Sequence, residues 1–415
     1  MKPSLKLPDT ALAMLFLALL FVPLASQLLY LADDRFTDLG ENRAQSPAPR
    51  LPDTLTGWLD YPAALEHYYR DNFALRTPLL NTANILKLTL GIDLAPQYMA
   101  GKEQWIFLSV GDTTEVLRGA RPLEDAQLAE FRENMQRIQR QLAKRGIAFL
   151  YFAAPEKQSI YPEYLPGRIK QVGPSHLDQV NQAESGSRHY VDLKSVLLDA
   201  KTGEAGRGRM LYRELDSHWT CWGAYLAYRD IVGQGLHAQG LPVALVAEQE
   251  MAYRDLSAFN KTDYLSAEFW TTPVASLGPR DTAYECLLER DPLVTMQVVE
   301  TGADLPNING EQAVPEASYP NSEVLYQDWL AVNRNPHSRF KALVVRDSFA
   351  SHLTPYLNRS FSEVLYVHYV TVKRGMLSAA VEQFQPDVVI YEFTERQLND
   401  SLQRVVHILE RGLRK

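Results

Sequence analysis

The chain has 415 residues, 46% apolar and 22% charged, with a formal net charge of −8. That is an ordinary globular composition with enough length for a large core, and the acidic balance argues against nucleic acid, whose phosphates need a basic face. Two cysteines, Cys221 and Cys286, exclude a disulfide scaffold and a four-cysteine zinc site, leaving one disulfide or two free thiols.

Residues 11–32 carry no charge. Leu12, Met14, Leu15, Phe16, Leu17, Leu19, Leu20, Phe21, Val22 and Leu24 lead into Leu28, Leu29 and Leu31. As a helix this stretch can cross ~30 Å of hydrocarbon, with Pro23 tolerated as a kink. Lys2 and Lys6 precede it, while Asp33, Asp34 and Asp38 follow. The positive-inside rule therefore leaves residues 1–10 in the cytoplasm and sends the rest outward. The apolar run exceeds the roughly 7–15 residues of a cleavable signal. An uncleaved single-pass anchor in the inner membrane is expected, with the bulk of the chain on the extracytoplasmic side.

Residues 33–60, rich in Pro, Asp and Arg, read as a linker, and residues 61–415 as one α/β domain. From Tyr61 to Leu90 the apolar spacing predicts two helices broken near Arg76-Thr77-Pro78. A short strand or hairpin is expected around Gly101–Phe107. Leu128, Phe131, Met135, Ile138 and Leu142 form the stripe of a long amphipathic helix. It ends at Lys144-Arg145-Gly146, and the continuous apolar run Ile147–Ala153 reads as a buried parallel strand.

The same grammar returns later. Strands are expected at Ala342–Val345, Val364–Val367 and Val388–Tyr391, with helices after Ser348, around Met376–Phe384 and from Leu398 to Leu409. This predicts a doubly wound, mostly parallel sheet with helices on both faces. Residues 235–338 break the pattern and read as an insert, either a cap over the site or an excursion. No P-loop, dinucleotide fingerprint or paired metal-ligand spacing occurs, so neither cofactor nor metal is expected.

Two short stretches carry the chemistry. Phe340–Val345 followed by Arg346-Asp347-Ser348 reads as a strand, a sharp turn and a helix opening at Phe349. Open α/β sheets place ligands at such strand ends, and a helix start favours developing negative charge. Ser348 is the candidate nucleophile. It needs an imidazole to take its proton and a carboxylate to orient the imidazole. Asp216-Ser217-His218 supplies both on one side of an extended backbone. Trp219 and Trp222 flank the pair, as core packing or as stacking surfaces for a sugar ring. Asp347 is expected to brace the turn, and His352, one turn beyond Ser348, to be a bystander or a competing base.

The flanking text carries a family resemblance. Asp71-Asn72-Phe73-Ala74-Leu75-Arg76, Gly101–Phe107, Arg145-Gly146-Ile147, Ala154-Pro155-Glu156-Lys157 and Ile160-Tyr161-Pro162 occur in that order. Asp216-Ser217-His218-Trp219 with Gly223-Ala224-Tyr225 follows, then Asp347-Ser348-Phe349, and lastly Pro386–Val389 with Glu395-Arg396. The chain resembles the SGNH hydrolase-like polysaccharide O-acetyltransferases of the AlgJ/AlgX type and the related DHHW proteins. The resemblance implies a triad of Asp216, His218 and Ser348 that passes acetyl groups through Ser348 to a polysaccharide acceptor. It also implies a membrane-bound O-acyltransferase as donor partner, since acetyl-coenzyme A is not expected outside the cytoplasm. An esterase with the same triad, or a non-catalytic polysaccharide-binding factor of the same fold, are the alternatives. The family's glycine before Asp-Ser is Arg346 here, and an arginine there either narrows the site or brings a cation to it. Arg346, Arg396, Lys157, Trp219 and Trp222 are thus candidate substrate or oxyanion contacts, with structural ion pairing as the plainer role for Arg396 and Lys157.

Overall fold

Helices α1 (Leu55–Asn72) and α2 (Arg76–Thr89) belong to the first of two units in this computed structural model, residues 1–94 with 259–280. The helix α1 starts inside the stretch read as linker and carries Pro62 within it. The helix α1 ends at Asn72 and α2 opens at Arg76, near the expected break, and Pro78 falls in the first turn of α2, where the missing N–H has no intrahelical partner to lose. Asp71 is buried and accepts hydrogen bonds from the backbone N–H and the hydroxyl of Ser46.

The structure describes residues 46–72, 76–93, 96–206, 208–255, 284–288, 294–299, 328–369 and 376–398, with 10–14, 16–18, 21 and 22 near the N-terminus. The predicted membrane segment 11–32 lies largely outside them; its described pieces are helical, and no helix among the described residues is long and apolar enough to cross a membrane. The predicted last helix, beyond Leu398, also lies outside them.

The second unit comprises residues 95–258 and 281–415. It opens with the expected hairpin, β1 (Tyr98–Ala100) and β2 (Ile106–Leu108). After α3 (Thr113–Leu117) comes the long helix α4 (Asp125–Ala143), whose stripe of Phe131, Met135, Ile138 and Leu142 is buried. The chain leaves it through Gly146 at φ +76°, a left-handed conformation that glycine adopts without strain. Strand β3 (Ala148–Ala154) follows, then α5 (Lys157–Ile160), α6 (His176–Ala183), α7 (Leu193–Thr202) and α8 (Cys221–Asp230).

Strands β4 (Met251–Asp255) and β5 (Tyr284–Leu288) pair antiparallel. Strands β6 (Val294–Val299) and β7 (Asp328–Asn333) come next, then β8 (Lys341–Arg346), α9 (Thr354–Ser360), β9 (Glu363–His368), α10 (Met376–Phe384) and β10 (Val388–Thr394).

The main sheet runs β3-β10-β8-β9-β7-β6. Its first four strands are mutually parallel, β7 runs antiparallel to β9, and β6 antiparallel to β7. Part of the stretch read as an insert thus completes the sheet. Trp329 and Ala331 of β7 turn to one face and Leu330 to the other, all buried.

Alternation along β8 separates two cores. Ala342 and Val344 pack with Leu197 of α7, Leu226 of α8 and Tyr356 of α9. Leu343 and Val345 pack with Ile138 of α4, Val180 of α6 and Val381 of α10. Helices therefore cover both faces, and the strand that leads to Ser348 is central.

Candidate active site

The strand β8 ends between β10 and β9, so Ser348 emerges in the crevice at the carboxyl edge of the parallel strands. Asp347 fixes the turn. Its carboxylate accepts from the N–H of Phe349 at 2.8 Å and from that of Thr394 at 2.9 Å. Its own N–H donates to Glu392 at 2.7 Å. Burial and the adjacent Asp347 push the Glu392 carboxyl well above its usual range, so Glu392 holds a proton beneath the turn.

Beyond Ser348 the chain makes a short 3₁₀ turn, Phe349–His352, and α9 begins only at Thr354. The expected helix start at Phe349 is thus replaced by a single tight turn, and its macrodipole is too short to carry the anion-stabilising role inferred from sequence. A more local feature stands in its place. Among the described residues the Ser348 N–H makes no hydrogen bond, whereas those of Asp347 and Phe349 are engaged.

His218 reaches the turn from a loop folded back on itself. Tyr212 and Trp219 form a bridge, the Arg213 N–H donates to the His218 carbonyl, and the Thr220 N–H donates to that of Leu211. Thr220 then caps α8 through the N–H of Gly223. A Cβ on Gly223 would lie 2.3 Å from the Leu211 carbonyl oxygen, so the loop packs this closely only on a glycine.

In that loop Asp216 Oδ1 lies 2.7 Å from His218 Nδ1 and accepts the His218 N–H at 2.9 Å. With a proton held on Nδ1, Nε2 accepts from the Ser348 hydroxyl, 2.9 Å away. Burial would raise the Asp216 carboxyl, but His218 and then Arg213 hold it well below the usual carboxylate range. The carboxylate thus stays ionised, as a group that stabilises an imidazolium must. The side chains of Asp216 and His218 are 13% and 18% exposed, leaving the pair reachable from outside.

The remaining sequence candidates take other positions. Lys157 is fully buried, and its ammonium donates to the carbonyls of Arg213, Glu214 and Asp216 at 3.0, 2.9 and 2.8 Å. It holds the loop rather than a substrate. Arg346 is fully buried too, because the β8 alternation turns it to the same face as Ala342 and Val344. Its guanidinium lies 3.8 Å from the centre of the Trp329 ring and donates to the Asp347 carbonyl. It neither narrows the crevice nor offers a surface cation. Arg396 pairs with the buried Glu156 at 2.7 Å, the structural ion pair, and lies over the Phe349 ring. Trp219 donates to the Phe349 carbonyl at 3.1 Å and Trp222 to that of Gly206, both fully buried, so both pack in the core and neither stacks on a sugar.

Three contributors escaped the sequence reading. Arg213, 3.8 Å from Asp216, joins through loop folding that no periodicity reveals. Phe349 packs against the His218 ring at 4.8 Å. Glu392 carried a signal, a carboxylate inside the apolar run of β10. Cys221 at the start of α8 is disulfide-bonded; the chain's other cysteine is Cys286.

A central parallel strand, a serine at its carboxyl end and a histidine–aspartate pair folded over it define a hydrolase-like α/β domain with a serine–histidine–aspartate constellation. Residues 99–286 match the family described as SGNH hydrolase-like domain, acetyltransferase AlgX, a span that includes Asp216 and His218 and ends before Ser348. Over 351 residues the chain is 24% identical to the probable alginate O-acetylase AlgJ of Pseudomonas aeruginosa, covering 81% of this chain and 79% of that protein. The fold is similar to that of Bacillus cereus PatB1, with a TM-score of 0.50 and 14% identity over 72% of this chain and 95% of that one. The resemblance to the SGNH hydrolase-like acetyltransferases of the AlgJ/AlgX type is borne out.

Proposed function

We propose that the chain is an extracytoplasmic O-acetyltransferase that passes acetyl groups through Ser348 to an exported polysaccharide. The observation that carries this reading is the continuous hydrogen-bonded line from Asp216 through His218 to Ser348. In the first half-reaction His218 Nε2 takes the hydroxyl proton as Ser348 Oγ attacks the acetyl carbonyl, then returns it to the departing oxygen. The open N–H of Ser348 is the first oxyanion donor. In the second half-reaction a sugar hydroxyl attacks acetyl-Ser348 by the same proton route. The acetyltransferase-type domain and the AlgJ relative support acetyl as the group and a polysaccharide as the acceptor.

Two observations support the location. Leu12, Met14, Phe16, Leu17 and Phe21 expose apolar side chains on their helical pieces, as suits a lipid-facing anchor. The disulfide at Cys221 suits an oxidising compartment. There acetyl must arrive from a donor other than cytoplasmic coenzyme A. A membrane-bound O-acyltransferase fits, because anchoring both proteins in one surface raises their effective concentration.

The test supplies the purified full-length chain with p-nitrophenyl acetate and candidate oligosaccharides. Acetylated sugar is the expected product. Donor turnover that yields only acetate would make the protein an esterase, and no turnover would leave a binding factor.

A further inference from the structure

An acceptor hydroxyl must reach His218 Nε2, so what lies against that imidazole governs which acceptors succeed. Two rings do: Phe349 at 4.8 Å and His352 at 5.7 Å between centroids, the latter tilted by only 30°. Phe349 is fully buried, whereas His218, Ser348 and His352 are each partly open. Of the two rings beside His218, His352 is therefore the one that an acceptor can touch.

The state of His352 follows from its surroundings. Its Nδ1 is buried without a hydrogen-bond partner. A buried N–H without an acceptor is rarer and costlier than a buried lone pair, so the proton belongs on Nε2. That nitrogen makes no hydrogen bond among the described residues and is a free donor. Burial, then Arg213 and His218, push the imidazole pKa down to about 3, with Asp216 opposing. The ring stays neutral where His218 must accept a proton, and does not compete with it.

We propose that His352 binds the acceptor, its Nε2–H donating to the oxygen next to the attacking hydroxyl of a vicinal diol, and so favours transfer to sugar over hydrolysis. This rests on the acetyl-transfer reading of the same site. As the sugar oxygen bonds to the acetyl carbon, the bond from that carbon to Ser348 Oγ breaks. The sugar's hydroxyl proton passes to His218 Nε2 and on to Ser348 Oγ. Water, with a single oxygen, can deliver the attack but cannot also occupy the His352 donor. Sugar rings carry adjacent hydroxyls and can do both.

The experiment charges the full-length chain with p-nitrophenyl acetate and offers trans-1,2-cyclohexanediol or cyclohexanol, matched except for the second oxygen. The wild type should acetylate the diol about tenfold faster, the discrimination of one neutral hydrogen bond. His352→Ala should bring the diol-to-alcohol ratio close to one and raise the share of acetate released. His352→Asn, which keeps an N–H donor in a smaller side chain, should recover part of the preference. A wild type without diol preference would overturn the inference, as would a His352→Ala variant of unchanged ratio or a His352→Asn variant that recovers no more than His352→Ala. The ratio is internal to each protein, so loss of folded material does not mimic the effect. Acetyl-Ser348 is followed in parallel by mass: its absence in the wild type would sink the acetyl-transfer reading itself, while its presence with an unchanged ratio would sink only the role of His352.

Discussion

The ammonium of Lys157 lies 2.8 Å from the carbonyl oxygen of Asp216, the residue that orients the proton acceptor. The same nitrogen also bonds the Arg213 and Glu214 carbonyls and sits over the rings of Trp105 and Phe107. A buried cation thus anchors the loop through three backbone carbonyls between residues 213 and 216. The loop's position depends on a residue that is itself fully buried.

Replacing Lys157 with Met keeps most of its volume and removes three charge-assisted hydrogen bonds from the loop, while the Glu214 carbonyl keeps the N–H of Ile106. The expected loss is about 3 kcal/mol of folding stability, since hydrogen bonds to a charged group are worth more than neutral ones and the abandoned partners stay desolvated. Urea denaturation measures it. Acylation of Ser348 should slow as well, because the loop carries Asp216. A variant with wild-type stability and rate would mean that the loop holds itself.

Arg346→Gly installs the glycine that the resemblance led us to expect and would show whether the arginine serves the crevice. With the guanidinium stacked on Trp329 beneath the turn, the substitution leaves a cavity and removes a cation next to Glu392. Stability should fall by about 3 kcal/mol, as in other large-to-small core replacements, with no gain in acetyl transfer. Faster transfer at undiminished melting temperature would show instead that Arg346 obstructs the site.

Acid should weaken the fold as its buried histidines are driven to take up protons. Burial and then Arg346 push the His368 pKa down to about 4 from an ordinary 6.5. Below pH 6.5 the unfolded chain takes up a proton that the folded chain refuses until about pH 4. Stability contributed by the neutral ring is therefore present above pH 6.5 and lost as the pH falls toward 4. His352 acts in the same direction. Denaturation midpoints across this range should decline, and His368→Gln should flatten the decline. An equal slope in that variant would assign the effect elsewhere.

The sequence made legible what repeats or what chemistry requires. The stripe from Phe131 to Leu142, the glycine at 146 and the apolar run after it encode helix, stop and strand locally, and they fold as read. Ser348, His218 and Asp216 stood out because three complementary residue types lay in recognisable settings. What stayed hidden depends on long-range packing. Strand β7 joins the sheet only through β9 and β6, which a short apolar run in a loop-rich stretch cannot announce. Arg346 and Trp219 looked like site residues because they adjoin the motifs, and Lys157 because it sits near a predicted strand end, yet all three support those motifs from within.

The central claim, that acetyl groups pass through Ser348, is tested by acid-quenching the full-length chain with p-nitrophenyl acetate and mapping acetyl by peptide mass spectrometry. Acetyl should be found on the peptide carrying Ser348, be absent from Ser348→Ala, and accumulate more slowly in His218→Ala and Asp216→Asn. Equal labelling of wild type and Ser348→Ala, or acetyl found only at other residues, would contradict it.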